Sequence, residues 1–600
     1  MSSPPEDSAK RKKLAGPWLF LVVLGVILAL TVVPGSFTMD ENHYLVSMLC
    51  LKEWRAAVPG TDGLPPSREL FSFDPAGTTI DPSQMPVRPR FPPLYAFMAL
   101  PFSWFGWRGL VTMNLLAFLG TAALVYYVAR RLTERVEAAW LALAAFVFGS
   151  YSIEYAVGMW PHMVAVFLTF SAVALLLLPA TEGVPWRSFL AGLLAGLAIG
   201  VRYQNVVLAD LIALLVVLRR DRIRSALSYL PGVALALGAC SLMNHWRLGT
   251  WNPISKGLGY TQIQAVSSVA TRSHFPFRDV VYSALARVFD YALWPADKMA
   301  VSDAVLPHPV TGAYLADGIL RKAWVQSSPW LMLVFAGILL VWLKPGSFGR
   351  RTAAAARVFS LLVLGVVGLF ALAGYRTSGW NYNERYFLEL MPLMSVLLAL
   401  LIGEWRTISL KAWLSGFLAA ALGAAAALRL PAADVPRLLA LQYVPLLAGT
   451  GLAILYVLRR PAAGAALQAM LAFCLAWALV VHVADDVRGS LRIRAVHAEV
   501  ARDVRRLLDP HRPAAIFAYQ GYAYAVGPLM LDYDLVVADL VNDSGQTAGE
   551  LIDAFLRQGR EVVIVASGVP REILAPLLVD RPASFFESGD LRLIRIKPGS

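Results

Sequence analysis

Apolar runs about long enough to cross a bilayer recur along this chain, punctuated by short clusters of basic residues. No other feature constrains the fold as tightly. In hydrocarbon every backbone N–H and C=O needs a partner within the protein, so repeated runs of this kind become packed helices. The composition agrees. Of the 600 residues, 58% are hydrophobic and 16% charged, against roughly a quarter charged in soluble domains. A net charge of +13 raises nucleic acid as a partner, but the charge falls largely in short loops between apolar runs. That is the positive-inside distribution of a membrane protein, so no nucleic-acid partner is expected.

Hydropathy resolves about thirteen spans: Pro17–Ser36, Trp107–Ala129, Ala138–Ser152, Trp160–Leu178, Ser188–Arg202, Gln204–Leu218, Ser225–Asn244, Ser328–Leu343, Val358–Tyr375, Arg385–Gly403, Ala412–Leu428, Tyr443–Leu458 and Gly464–Ala484. Arg11, Lys12 and Lys13 hold the N-terminus in the cytoplasm. The first run is longer than a signal-peptide core and is followed by a poor cleavage site, so an uncleaved helix is expected. From that start, the basic loops "ARRLTER", "RRDRIR", "KPGSFGRR" and "RRP" all fall on the inner side. The alanine- and arginine-rich usage fits a bacterial inner membrane.

Three segments are left outside: Phe37–Pro92, His245–Gln326 and the tail Asp485–Ser600. The tail changes character. "AAIFAYQ", "DLVVADL", "EVVIVAS" and "LRLIRIK" read as strands, and "AVHAEVARDVRRLL" and "TAGELIDAFLRQ" as amphipathic helices. The expected organisation is a membrane domain over residues 1–484 and a soluble, extracytoplasmic α/β domain over 485–600. The glycine spacing of "GYAYAVG" does not fit a dinucleotide fingerprint. Cys50, Cys240 and Cys474 follow neither a disulfide framework nor a metal-binding spacing.

The chemistry-bearing candidates begin with "SFTMDENHYLVSML", Ser36 to Leu49. Thr38 with Glu41 matches a capping box, and Asp40 suits the first turn of a helix. Glu41 fits the cap better, which leaves Asp40 free to face a reacting group, with Tyr44 four residues on along the same face. In "VRPRFPPLYAFMALPF", Val87 to Phe102, paired prolines precede a short apolar stretch whose length suits an interfacial segment. Arg88 and Arg90 then stand near the depth of a lipid phosphate, either to bind one or to snorkel to headgroups.

Together these features resemble the GT-C glycosyltransferases, integral membrane enzymes that take a sugar from a polyprenyl-phosphate carrier. The likeness is to the branch holding protein O-mannosyltransferases and lipid A aminoarabinose transferases, and its layout covers most of the chain. "MDENHY" is similar to that branch's first-loop motif, which implies a catalytic carboxylate in the Asp40–Glu41 pair, with Asp40 inheriting the role. "RFPPLY" resembles its "KPPLYY" element, which implies carrier-phosphate contacts from Arg90 or Arg88 and places Tyr95 beside them. The branch often has an acid before a proline at the start of the fourth span. Here the chain reads "GMWPHMVAVF", so Trp160 holds that place and Glu154 and His162 are the nearest polar substitutes. "GVRYQN" offers Arg202 as a second phosphate ligand, with Tyr203 as its neighbour. "GWNYNERYFLELMPL" resembles the family's late "RY…P" element and offers Arg385 and Tyr386. Lys256 in "WNPISKGLGY" is a further substrate-binding candidate.

The resemblance implies an inverting transfer of sugar to an acceptor hydroxyl on a glycan, lipid or protein. No cofactor is expected. A divalent metal, used by oligosaccharyl-transferring relatives, is possible but not indicated, because no His/Asp cluster has ligand spacing. Two other readings stay open: a lipid or glycan flippase, for which inverted repeats and broken midplane helices are expected, and a ligase moving whole glycans from a lipid diphosphate.

Overall fold

The computed structural model describes residues 6–56, 92–177, 185–217, 222–254, 277–293, 305–316, 319–372, 382–402, 409–458, 463–519, 521–540 and 546–598. Arg88, Arg90 and Lys256 lie outside the described residues. Within them the chain is a bundle of apolar helices carrying a C-terminal α/β domain, the architecture expected from the sequence. Among the described residues, seven helices are long and apolar enough to cross a membrane. Shorter apolar helices include Val136–Val147, His162–Leu177 and Leu331–Leu343, so length alone does not reproduce the span count read from hydropathy. Pro93–Ser103, expected as a short interfacial segment, is a helix of 11 residues that begins on its prolines.

Burial separates the helices by role. Within the most apolar 18-residue stretch of each helix, 94% of the residues of Arg385–Ile402 are buried, against 22% in Ile223–Leu248 and 22% in Leu410–Arg429. The first therefore forms the centre of the bundle. The other two turn Leu227, Leu230, Leu235 and Leu414, Phe417, Leu422 outward, an apolar exposure that suits lipid and not water.

Helices pack closely where side chains are small. A Cβ on Gly192 would lie 2.0 Å from the Tyr229 carbonyl oxygen, and one on Gly232 2.1 Å from that of Phe189. Backbone meets backbone at this crossing of Pro185–Val201 with Arg222–Leu248. Gly192→Ala is therefore expected to force the two helices apart and cost about 1–3 kcal/mol, read as a lowered thermal midpoint in detergent.

The segment expected as a long outer loop carries structure of its own. Phe277–Val288 is a helix, and β1 (Val305–Pro307), β2 (Tyr314–Ala316) and β3 (Ile319–Leu320) form a small antiparallel sheet. Beyond the last apolar helix, Ala463–Val481, the chain does not break. It passes through a π turn, His482–Val487, into Arg488–Arg505. The change from apolar run to polar tail thus falls within continuous helix.

The C-terminal sheet has the order β5-β4-β6-β8-β7. Strands β4 (Ala514–Ala518), β5 (Leu535–Asp539) and β6 (Glu561–Val565) are parallel. β8 (Leu591–Ile596) and β7 (Ala583–Ser588) close it antiparallel. β4 and β6 are buried along their whole length, as parallel strands covered on both faces require. Ala515 and Phe517 pack with Leu551, Ile552 and Phe555 of the helix Gln546–Arg557. Ala514, Ile516 and Ala518 point the other way and join the core that continues into the membrane bundle. The domain is thus fused to the bundle through a shared apolar core.

Candidate active site at the helix ends

The first-loop motif forms a helix, Met39–Lys52, with Thr38 at its cap position. Glu41 makes its half of the expected capping box: Oε2 accepts the N–H groups of Phe37 and of Thr38, the latter at 3.2 Å. Its other oxygen accepts the Met159 N–H at 2.7 Å and meets Arg494 Nη1 at 2.9 Å. Glu41 is fully buried and Arg494 nearly so. Asp40 is different. Its side chain is 30% exposed, and Oδ2 accepts from Arg385 Nη1 at 2.9 Å.

Arg385 opens a 3₁₀ turn, Arg385–Leu390, that brings two of the predicted arginines onto one structure. At its start Arg385 holds Asp40, while Glu389 in the same turn pairs with Arg202, both of them buried. Arg202 follows the helix Pro185–Val201 and, in extended conformation, leads into the short turn Tyr203–Asn205. A narrow recess lies here. Its lining joins polar groups, Arg202, Tyr386 and Glu389, to apolar ones, Val207, Leu208 and Val366. Tyr386 also lies 5.5 Å below the Arg385 guanidinium.

Tyr44 and His162 complete the cluster. Burial, reinforced by the Asp40 carboxylate, pushes the Tyr44 hydroxyl far above its ordinary range, while Arg202 and Arg385 pull it back. The phenol is therefore a neutral hydrogen-bonding group. His162 is buried between Tyr155 and Trp160, with ring centroids 4.8 and 5.6 Å away, in the field of Arg202 and Arg385. Its two ring nitrogens have no hydrogen-bond partner among the described residues.

Other predicted residues take supporting places. Tyr95 packs edge-on against Tyr44 at 4.8 Å and accepts from Asn114 Nδ2 at 3.0 Å. The Tyr203 hydroxyl accepts from Asn244 Nδ2 at 3.4 Å. Glu154, between two spans, belongs to a second buried cluster. Asn383 Nδ2 donates to Glu154 Oε2 at 2.7 Å and to Asp486 Oδ2 at 3.0 Å. Asp486 also holds Lys322 Nζ at 2.6 Å and lies 2.8 Å from His482 Nδ1.

Burial, with the Asp486 charge beside it, pushes the Glu154 carboxyl up to about 8, against Asn383, Lys322 and Arg494, which favour its charged form. A carboxyl raised in the folded state adds stability while protonated, and that contribution is lost as pH rises through the folded value. The midpoint of the wild type minus that of Glu154→Gln is therefore expected to fall between about pH 5 and about pH 9. Thermal unfolding in detergent across that range checks it.

Sequence reasoning missed Glu389, Arg494 and Arg287. Arg287 Nη1 meets both Glu384 oxygens at 3.3 Å, and Tyr291 donates to the same carboxylate. Glu389 carried a usable signal, since an acid inside an apolar run demands a partner. Among the described residues, no three His, Cys, Asp or Glu side chains gather as a metal-binding group.

No protein-family model matches the chain, and no curated protein matches it in sequence. Solved structures do match. They give the fold a known counterpart. The chain is similar to ArnT from Cupriavidus metallidurans bound to undecaprenyl phosphate, at 15% identity over 96% of this chain and 97% of that one, with a TM-score of 0.50. It is likewise similar to the apo state of the same ArnT, at 14% identity over 97% and 98%, with a TM-score of 0.51. The archaeal oligosaccharyltransferase AglB from Archaeoglobus fulgidus, in complex with an inhibitory peptide and a dolichol-phosphate, aligns at 12% identity over 97% and 74%, with a TM-score of 0.42.

Proposed function

We propose that this protein is an inverting glycosyltransferase that moves a sugar from a polyprenyl-phosphate carrier to an acceptor hydroxyl at the outer face of a bacterial inner membrane. One observation carries the reading: the only partly covered carboxylate of the first-loop motif, Asp40, sits on Arg385. The turn that bears Arg385 also holds Arg202 at a half-apolar recess. A lipid phosphate with a sugar attached needs this combination of base, cation and greasy lining. The likeness in fold to ArnT with undecaprenyl phosphate bound supports the same reading. The N-terminus lies in the cytoplasm and the C-terminal domain outside.

In this mechanism the acceptor oxygen attacks the anomeric carbon from the face opposite the carrier. Its proton passes to Asp40. The bond from the anomeric carbon to the phosphate oxygen breaks, and its electron pair leaves on the phosphate. Arg202 and Arg385, with Arg88 or Arg90 from the same loop as Asp40, hold that charge, so no acid is needed to protonate the leaving oxygen. Incoming phosphate competes with Asp40 for Arg385, which frees the base as the donor binds. Tyr44, Tyr386 and His162 line the sugar's surroundings. Val207, Leu208 and Val366 take the first isoprene units.

The test is transfer by the purified protein in lipid vesicles from labelled polyprenyl-phosphate sugars to envelope extracts. Appearance of free polyprenyl phosphate together with labelled acceptor supports the proposal. Consumption only of diphosphate-linked glycans would replace it with a ligase, and movement of intact donor across the bilayer with a flippase.

A further inference from the structure

We infer that Arg494 is a positioning residue for Asp40, and that the C-terminal domain acts on the reaction by clasping the segment Gly35–Asn42. The inference rests on the reading of Asp40 as the base. Arg494 lies on Arg488–Arg505, the helix that leads into the domain, and is 1% exposed. Its Nη1 donates to the Gly35 carbonyl at 2.7 Å and meets Glu41 Oε1 at 2.9 Å, and its guanidinium lies 5.8 Å from the centre of the Phe37 ring. One turn on, His497 Nδ1 donates to the Ser36 carbonyl at 2.7 Å.

The domain proper completes the grip. The Tyr524 carbonyl accepts from Ser36 Oγ at 2.5 Å and from Asn42 Nδ2 at 3.0 Å. Two glycines mark how close the approach is. A Cβ on Gly35 would stand 2.3 Å from the Arg494 carbonyl oxygen, and one on Gly527 2.4 Å from Asn42 Oδ1. The segment is thus held at Gly35, Ser36, Glu41 and Asn42, on both sides of Asp40. Asp40 itself turns away to Arg385.

Glu41 carries the hold further. Its Oε1 accepts the Met159 N–H, next to Trp160 and His162, and a Cβ on Gly158 would meet Arg494 Nη2 at 2.4 Å. One buried ion pair therefore ties three strands of chain together: the base's own loop, the turn before His162 and the helix of the C-terminal domain. Such a pair earns its burial by fixing geometry, since removal of either charge strands the other.

The experiment compares Arg494→Gln, Arg494→Lys and the milder double variant Ser36→Ala/Asn42→Ala in the vesicle assay. Arg505→Gln, an exposed position on the same helix, serves as control. Hydrogen exchange of the peptide covering residues 35–42 is followed in parallel. Expected is a kcat lowered at least about tenfold in Arg494→Gln with donor KM within about threefold, since positioning acts on the transition state and not on binding. Arg494→Lys should recover part of that loss, and exchange over 35–42 should rise in step with it. Should Arg494→Gln fail to fold, the double variant carries the same expectation. Unchanged kcat in either overturns the inference, as does a raised KM at constant kcat. If the wild type transfers nothing, the proposed function fails instead, and unchanged exchange in Arg494→Gln would still dismiss the clasp.

Discussion

Asp40→Asn is expected to lower transfer roughly 10²- to 10⁴-fold, the range a positioned general base supplies, while leaving folding nearly untouched. The two halves of that statement have different physical sources. Asp40 is 30% exposed and its partner Arg385 16%, so their ion pair is partly screened by water and contributes at most about 1 kcal/mol. The amide keeps the shape and an acceptor for Arg385, but cannot take a proton from a sugar or serine hydroxyl. Glu41, one residue on, predicts the reverse. It is fully buried against Arg494, so Glu41→Gln strands a buried guanidinium and should cost about 3–5 kcal/mol. Thermal midpoints and kcat measured on both variants separate the roles. An Asp40→Asn protein with full activity would sink the assignment of the base.

The residues assigned to the proposed substrate were more legible than their partners in the fold. Asp40, Arg202 and Arg385 could be read as candidates because each sits in a short motif beside an apolar run, and the helices followed from uniform hydrophobicity. Their partners could not be found that way. Glu389 lies 187 residues from Arg202, Arg494 lies 459 from Gly35, and Arg287 lies 97 from Glu384. Charge pairing across such distances leaves no local pattern. The small sheet β1–β3 was missed because strands of two or three residues carry no period. β7 was missed for another reason: its middle residues are all exposed, so only pairing with β8 marks it as a strand. The capping box was read correctly on the Glu41 side, yet nothing local showed that the same carboxylate would anchor the C-terminal domain.

Arg202→Ala should be among the most destabilising single changes at the site, and the reason also yields a test of its chemical role. Arg202 and Glu389 are 5% and 3% exposed, so removing the guanidinium leaves a carboxylate buried without its cation, at about 3–5 kcal/mol. That result alone would say nothing about phosphate. Replacing both members with apolar side chains of similar size, Arg202→Met with Glu389→Leu, removes the stranded charge and is often neutral for folding. The double variant is therefore expected to recover the wild-type midpoint. If Arg202 holds the departing phosphate, it will still transfer poorly, by roughly 10²- to 10³-fold, as when one preorganised donor to a developing charge is deleted. The apolar side of the recess, Val207, Leu208 and Val366, is unchanged in that variant, so the isoprenoid end of the donor keeps its contacts and the loss should fall mainly on kcat. A stable double variant with wild-type kcat would make the Arg202–Glu389 pair a strut between helix ends, and the leaving charge would then have to rest on Arg385 and the first-loop arginines.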